Sequence, residues 1–196
     1  MNDALATVRP LLIYGVLPLW ILSGLLDWWC HRRTDIAHTG GVGENLFHWL
    51  MFFLMGAGVM AAVLLQTNAA LVLLGLALFV AHEAVVYLEL RFALPLRRVG
   101  ALEQMVHSFQ EILPLLGLFL LATTIAPGSA GWQDLALRWR DEPVPPRMLA
   151  ALFFAVGVCN FLPLFEELLR CVRARPRPRP VGSGSLVSHE LGSKRR

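Results

Sequence analysis

Residues 44–90 read ENLFHWLMFFLMGAGVMAAVLLQTNAALVLLGLALFVAHEAVVYLEL, and this stretch decides the fold. Two apolar runs of about 20 residues are separated only by Gln66-Thr67-Asn68. Each run is long enough, as a helix, to cross a ~30 Å hydrocarbon core. The three polar residues between them leave room for a tight turn and nothing more. Similar runs recur on both sides, so membrane helices are expected at about 11–30, 45–66, 69–90, 107–126 and 148–170. The expected fold class is all-α: a polytopic membrane helical bundle of about five transmembrane helices over residues 1–174, followed by a basic Pro/Arg and Gly/Ser tail over 175–196 that is expected to be disordered.

Composition agrees with that reading. The chain has 196 residues, 56% of them hydrophobic and 16% charged, with a mean hydropathy of +0.58, whereas soluble domains carry about 25% charge. A soluble enzyme domain, a DNA-binding module and a disulfide scaffold are excluded. The net charge of +3 comes from arginines in loops and tail, so no nucleic-acid partner is expected. Cys30, Cys159 and Cys171 have no paired spacing. The first apolar run, Leu11 to Trp29, lacks a basic start beyond Arg9 and a small-x-small cleavage site, and is read as a retained helix.

Arginines set the expected orientation. Arg32 and Arg33 follow the first helix, Arg91, Arg97 and Arg98 the third, and Arg170, Arg173, Arg175, Arg177 and Arg179 the fifth. Positive charge favours the cytoplasmic side, which places the amino terminus outside and the carboxyl tail inside a bacterial inner membrane. The segment from Pro127 to Pro146 is too rich in Gly and Pro to span. Its middle, Trp132 to Arg140, mixes aromatic and charged residues like a short helix lying on the membrane surface.

Ionisable residues inside membrane helices are costly and call for a reason. Asp27 and His31, Glu44 and His48, and His107 and Glu111 are each four residues apart, which puts each pair on one helix face. His82 and Glu89 lie seven apart on the third helix. Helices 1 and 3 run toward the arginine-rich side and helices 2 and 4 run away from it, so all four sets should meet at one depth in a four-helix arrangement. The other half, including Gly56 to Leu65 and Leu115 to Ile125, carries no charge. Salt bridging would need cations, which the span interiors lack, and unneutralised carboxylates would repel one another. Two divalent metal ions remove both difficulties. Asp27, His31, Glu44, His48, His82, Glu89, His107 and Glu111 are the candidate ligands, and mixed imidazole and carboxylate donors suit iron, with zinc and manganese as alternatives.

The ligand inventory resembles that of ferritin-like di-iron carboxylate bundles, with D/E-x-x-x-H spacing in place of E-x-x-H. As a whole the chain resembles small bacterial membrane proteins of unknown function. It lacks the histidine boxes of membrane desaturases and the closing H-x-x-x-H of alkaline ceramidases. The resemblance to di-iron bundles implies a centre that activates dioxygen against a C–H bond.

Neighbouring residues have plainer readings. Glu83 is expected to support the site or pair with an arginine, Glu103 to be a solvated loop acid, and Glu166 and Glu167 to pair with Arg170. Glu89 divides between ligand and partner of Arg91. His38 and His189 are expected to be exposed and inert. Trp28, Trp29 and Trp49 suit an aromatic belt. Gly40, Gly41 and Gly43 suit a flexible loop, with a phosphate cradle as the rarer reading.

The expected function is a membrane-embedded metal-dependent enzyme, a di-iron oxidoreductase acting on a lipid or other apolar substrate with an electron donor. A zinc-dependent lipid hydrolase is the main alternative. A b-type haem subunit leaves the carboxylates unexplained, and a metal or proton transporter leaves the apolar half unexplained.

Overall fold

The computed structural model describes residues 3–174. The basic tail, with His189, lies outside the described residues. The described chain is helical, with five helices long and apolar enough to cross a membrane: α1 (Ala6–Arg33), α2 (Gly41–Leu64), α3 (Ala69–Ala93), α4 (Ala101–Thr123) and α5 (Pro146–Arg173). The five spans expected from the sequence are present, with shifted ends. α4 starts at Ala101 rather than near 107 because Glu103 sits in its first turn, where its carboxylate meets the Gly100 N–H at the helix N-terminus. α3 starts where Asn68 accepts a hydrogen bond from the Leu71 N–H at 3.0 Å. Pro146 supplies the first turn of α5, where a missing N–H costs nothing.

The helices form a closed ring in the order α1, α4, α3, α2, α5 and back to α1. This differs from the expected four-helix arrangement, because α5 is a full wall of the ring. Only its second half, from Gly157 onward, packs closely on α1 and α2; its first half, Pro146–Val156, stands off. Two turns are wound as π-helix, Leu12–Val16 in α1 and Gly157–Phe161 in α5. The second aims Asn160 at α1, where its amide donates to the Ile21 carbonyl at 3.2 Å. Gly24 is required there, since a Cβ would overlap the Asn160 side chain.

Burial is inverted relative to a soluble protein. The outward faces carry Leu46, Val80, Ile112 and Phe119, all exposed, while the fully buried side chains include His31, Glu44, Asn45, Glu89, Glu103 and Glu167. That is the pattern expected where lipid is the solvent and polar groups must satisfy one another inside.

The segment from Pro127 to Pro146 is not the surface helix expected from its sequence. Beyond a single 3-10 turn at Ala130–Trp132 it runs extended, and Trp139 bridges Leu65 as an antiparallel pair. The Gln66 N–H donates to the Arg138 carbonyl and the Arg140 N–H to the Leu64 carbonyl, both at 2.9 Å. The free backbone groups at the α2–α3 turn recruit a strand partner, which outweighs a short helix of mixed composition.

Candidate metal centre

Every helix sends polar side chains to the same end of the ring, the end marked by Arg32, Arg33, Arg91, Arg98, Arg170 and Arg173. α1 supplies Asp27 and His31; α2 supplies Glu44, Asn45 and His48; α3 supplies His82 and Glu89; α4 supplies Glu103, His107 and Glu111; α5 supplies Glu167. Three groups bring potential ligand atoms within 4.8 Å of one another: Asp27 with His31 and His107, His31 with His48 and Glu167, and Glu44 with His48 and Glu89. His31 and His48 join the groups, their rings stacked with centroids 4.5 Å apart and planes within 8°.

Six of the eight sequence-derived candidates therefore meet: Asp27, His31, Glu44, His48, Glu89 and His107. Their partners are mostly on other helices. His107 Nε2 lies 3.0 Å from Asp27 of α1, whereas its helical neighbour Glu111 belongs to none of the three groups and lines the cavity below. His82 is buried, but its Nδ1 is 3.2 Å from Glu83 and it too stands outside the groups. Glu89 does not pair with Arg91, whose guanidinium stacks over Tyr87 at 5.8 Å.

Three residues carry more than their sequence suggested. Glu167 does not pair with Arg170; it is buried and bonded to His31 Nδ1 at 3.2 Å, His48 Nδ1 at 2.9 Å and the Asn45 amide at 2.9 Å. Its neighbour Glu166 takes the expected role, accepting from Arg170, Arg32 and the Trp28 indole. Glu103 is no solvated loop acid. It is buried, with one oxygen 3.2 Å from His31 Nε2. Arg97, from the α3–α4 connection, turns inward and donates to Glu44 at 2.8 Å and to Glu103 at 3.0 Å. Burial opposes its charge, but the bonds to Glu103 and Glu44 prevail and hold its pKa above the ordinary arginine value. The expectation that no cation enters the cluster is thus corrected: a loop arginine reaches it.

Arg97 does not neutralise the whole cluster. Asp27, Glu44, Glu89, Glu103 and Glu167 bring five carboxylates against one guanidinium, an excess of four negative charges when the imidazoles are neutral. Glu44 Oε2 and Glu89 Oε1 are buried with no hydrogen-bond partner, and both belong to the group that includes His48. Buried carboxylate oxygens in native proteins have partners as a rule, so these two oxygens are short of one.

Smaller features resolve as packing. Gly40 makes room for the Glu44 side chain folded over it, and Gly43 lies against the Phe92 ring. Gly41 adopts a left-handed φ of 61° at the start of α2. No phosphate cradle is needed to account for these glycines. Trp49 packs against Phe52 and Phe161, joining α2 to α5. Trp29 lies under the Arg33 guanidinium at 3.8 Å. His38 is exposed and bonded to Asp35.

No protein-family model, curated protein or solved structure matches the chain.

Proposed function

We propose that the chain is a membrane-embedded, metal-dependent enzyme with a two-metal centre, acting on an apolar substrate that reaches it from the bilayer. The observation that carries this reading is the buried cluster itself. Three ligand groups share His31 and His48 at the polar end of a cavity that apolar side chains line elsewhere. Asp27, His31 and His107 would hold one ion, and Glu44, His48 and Glu89 the other. Glu167, bonded to Nδ1 of both shared histidines, would hold and orient their rings. Two divalent ions cancel the four excess negative charges and give Glu44 and Glu89 their missing partner. Glu111 and His82 move from the ligand set to the cavity wall.

The donor set of imidazole and carboxylate favours iron, and an oxidoreductase that draws electrons from the arginine-rich side. The zinc hydrolase reading gains from one feature: each outer group offers three protein ligands, the number that catalytic zinc commonly uses. In a bacterial inner membrane the arginine-rich end would face the cytoplasm, with the amino terminus outside.

Elemental analysis of protein purified in mild detergent tests the centre. About two divalent ions per chain are expected, with His48→Ala and Glu89→Ala each lowering the load and His38→Ala leaving it unchanged. Equal content in all four proteins would overturn the assignment. Oxygen consumption by ferrous-reconstituted protein separates the oxidoreductase from the hydrolase.

A further inference from the structure

The ring encloses a cavity of about 720 Å³ whose wall includes residues from all five helices. Its floor is the polar cluster. From there it follows one face of α2 through Met51, Met55, Val59 and Met60. At 1.5 Å per residue the twelve steps from His48 to Met60 cover ~18 Å, a little over half of a hydrocarbon core. The cavity is therefore deep and narrow, polar at interface depth and apolar toward the bilayer centre.

Two glycines on facing helices line this apolar part, Gly56 of α2 and Gly157 of α5. A Cβ at either position would meet nothing within 4 Å. Glycine weakens a helix interior relative to alanine, and no packing within the chain requires it at these two places. Elsewhere in the same helices the reason for glycine is visible, as at Gly43 against Phe92. At Gly56 and Gly157 the space is kept open. The route into it is also defined. α1 and α5 are pinned together at Gly24 and Asn160, while the Pro146–Val156 half of α5 stands away from the other helices and contributes Leu152 and Phe153 to the cavity wall.

We propose that this cavity binds a single-chain lipid with an uncharged oxygen-bearing head, a long-chain alcohol or aldehyde, admitted sideways past the first half of α5. The proposal deepens the two-metal reading and rests on it for the role of the head. The volume sets the chain number: at about 30 Å³ per water-sized group the space takes roughly 24 such groups. That fits one alkyl chain and a small head; the second chain of a phospholipid would have to stay outside in the bilayer. The lining sets the head. It contains Asp27, Glu89, Glu111 and Glu167 beside four histidines and, among the described residues, no lysine or arginine, so a phosphate or carboxylate head would find no permanently charged side chain to pair with and would add negative charge to an acidic floor. With the cluster's charge cancelled by two metal ions, an alcohol or carbonyl oxygen is the donor that suits the floor.

The test uses the full chain in diacylphospholipid nanodiscs with hexadecanol carrying a diazirine near its methyl end. Photolabelling is expected within Met55–Met60 and Leu152–Gly157, to be displaced by plain hexadecanol and not by hexadecyl phosphate. Gly56→Leu and Gly157→Leu should each cut that labelling at least fivefold, keep labelling by a ten-carbon probe, and retain the metal content of the unaltered protein, which doubles as the check on folding. Labelling spread over the lipid-facing Leu46, Leu50 and Val80 and insensitive to hexadecanol overturns the proposal. So does an undiminished signal in both leucine variants. The two readings fail separately. Protein that binds no metal yet labels in the channel refutes the centre and keeps the channel, and metal-loaded protein that labels only at random refutes the channel alone.

Discussion

The two ends of the ring are held together by different kinds of bond. At the arginine-rich end, Arg97, Glu44, Glu103, His31, His48 and Glu167 are tied to one another by side chains from four helices and a loop, all buried. At the opposite end, the α2–α3 turn is clasped by the 134–141 segment mainly through backbone bonds, with Asn68 and Asp134 filling the gaps. Backbone bonds close a structure at little risk, because donors and acceptors come in equal number along the chain. A buried net of like-charged side chains closes only with the right counter-charges in place. One end holds by itself and the other only with its counter-charges.

That contrast can be broken in graded steps. The largest effect is expected from Arg97→Met, which strands Glu44 and Glu103 without their cation. A loss of about 3–5 kcal/mol is expected, read from chemical unfolding in detergent, and adding Glu103→Gln should restore part of it. Glu167→Ala leaves the donors of His31, His48 and Asn45 without their acceptor. About 2 kcal/mol is expected, against no more than about 0.5 kcal/mol for Glu166→Ala, whose pairs are partly solvated. At the other end, Asn68→Ala removes the cap of α3 and should cost about 1 kcal/mol without altering metal content, which a combined melting and elemental measurement would show.

The smallest effect is a pH dependence. The Ala136 N–H, and next the Asn68 amide, hold the Asp134 carboxyl below its ordinary value of 3.8. A carboxylate whose pKa is lower in the folded than in the unfolded chain stabilises above the unfolded value, and that contribution disappears as pH falls through the folded one. The clasp should therefore be at full strength at neutral pH and loosen only below 3.8. Asp134→Asn should flatten this part of the melting profile; an unchanged acid limb would remove Asp134 from the account.

The spans were legible because their length and apolarity are a bulk property, insensitive to any one residue. Six candidate ligands were legible for a related reason: a charge inside an apolar run stands out. What stayed hidden depended on how helix ends turn. Arg97 and Glu103 sit in a stretch of ordinary loop polarity, and nothing local separates Arg97, which folds inward, from Arg98, which is exposed. The signal for Glu103 was its place three residues after Gly100, where an acid favours a helix start. Glu167 was masked by an arginine three residues on, a spacing that suggests pairing equally for Glu166. The face that α5 turns to the ring decides between them, and two adjacent acids near its end do not reveal which one lies inside. Pairing by fours along one helix held for Asp27 with His31 and for Glu44 with His48, which share ligand groups, but not for His107, which meets Asp27 of the adjacent α1 rather than Glu111 below it.

Glu167 also imposes an order on assembly. It lies on α5, which follows the other four helices in the chain, yet it bonds the histidines of α1 and α2. During synthesis the first four helices can enter the membrane and pair, but His31 and His48 wait without their acceptor until α5 arrives and closes the ring. The step that gives His31 and His48 this acceptor is thus the same step that closes the wall, so a ribosome-bound intermediate has neither the finished polar cluster nor a closed ring.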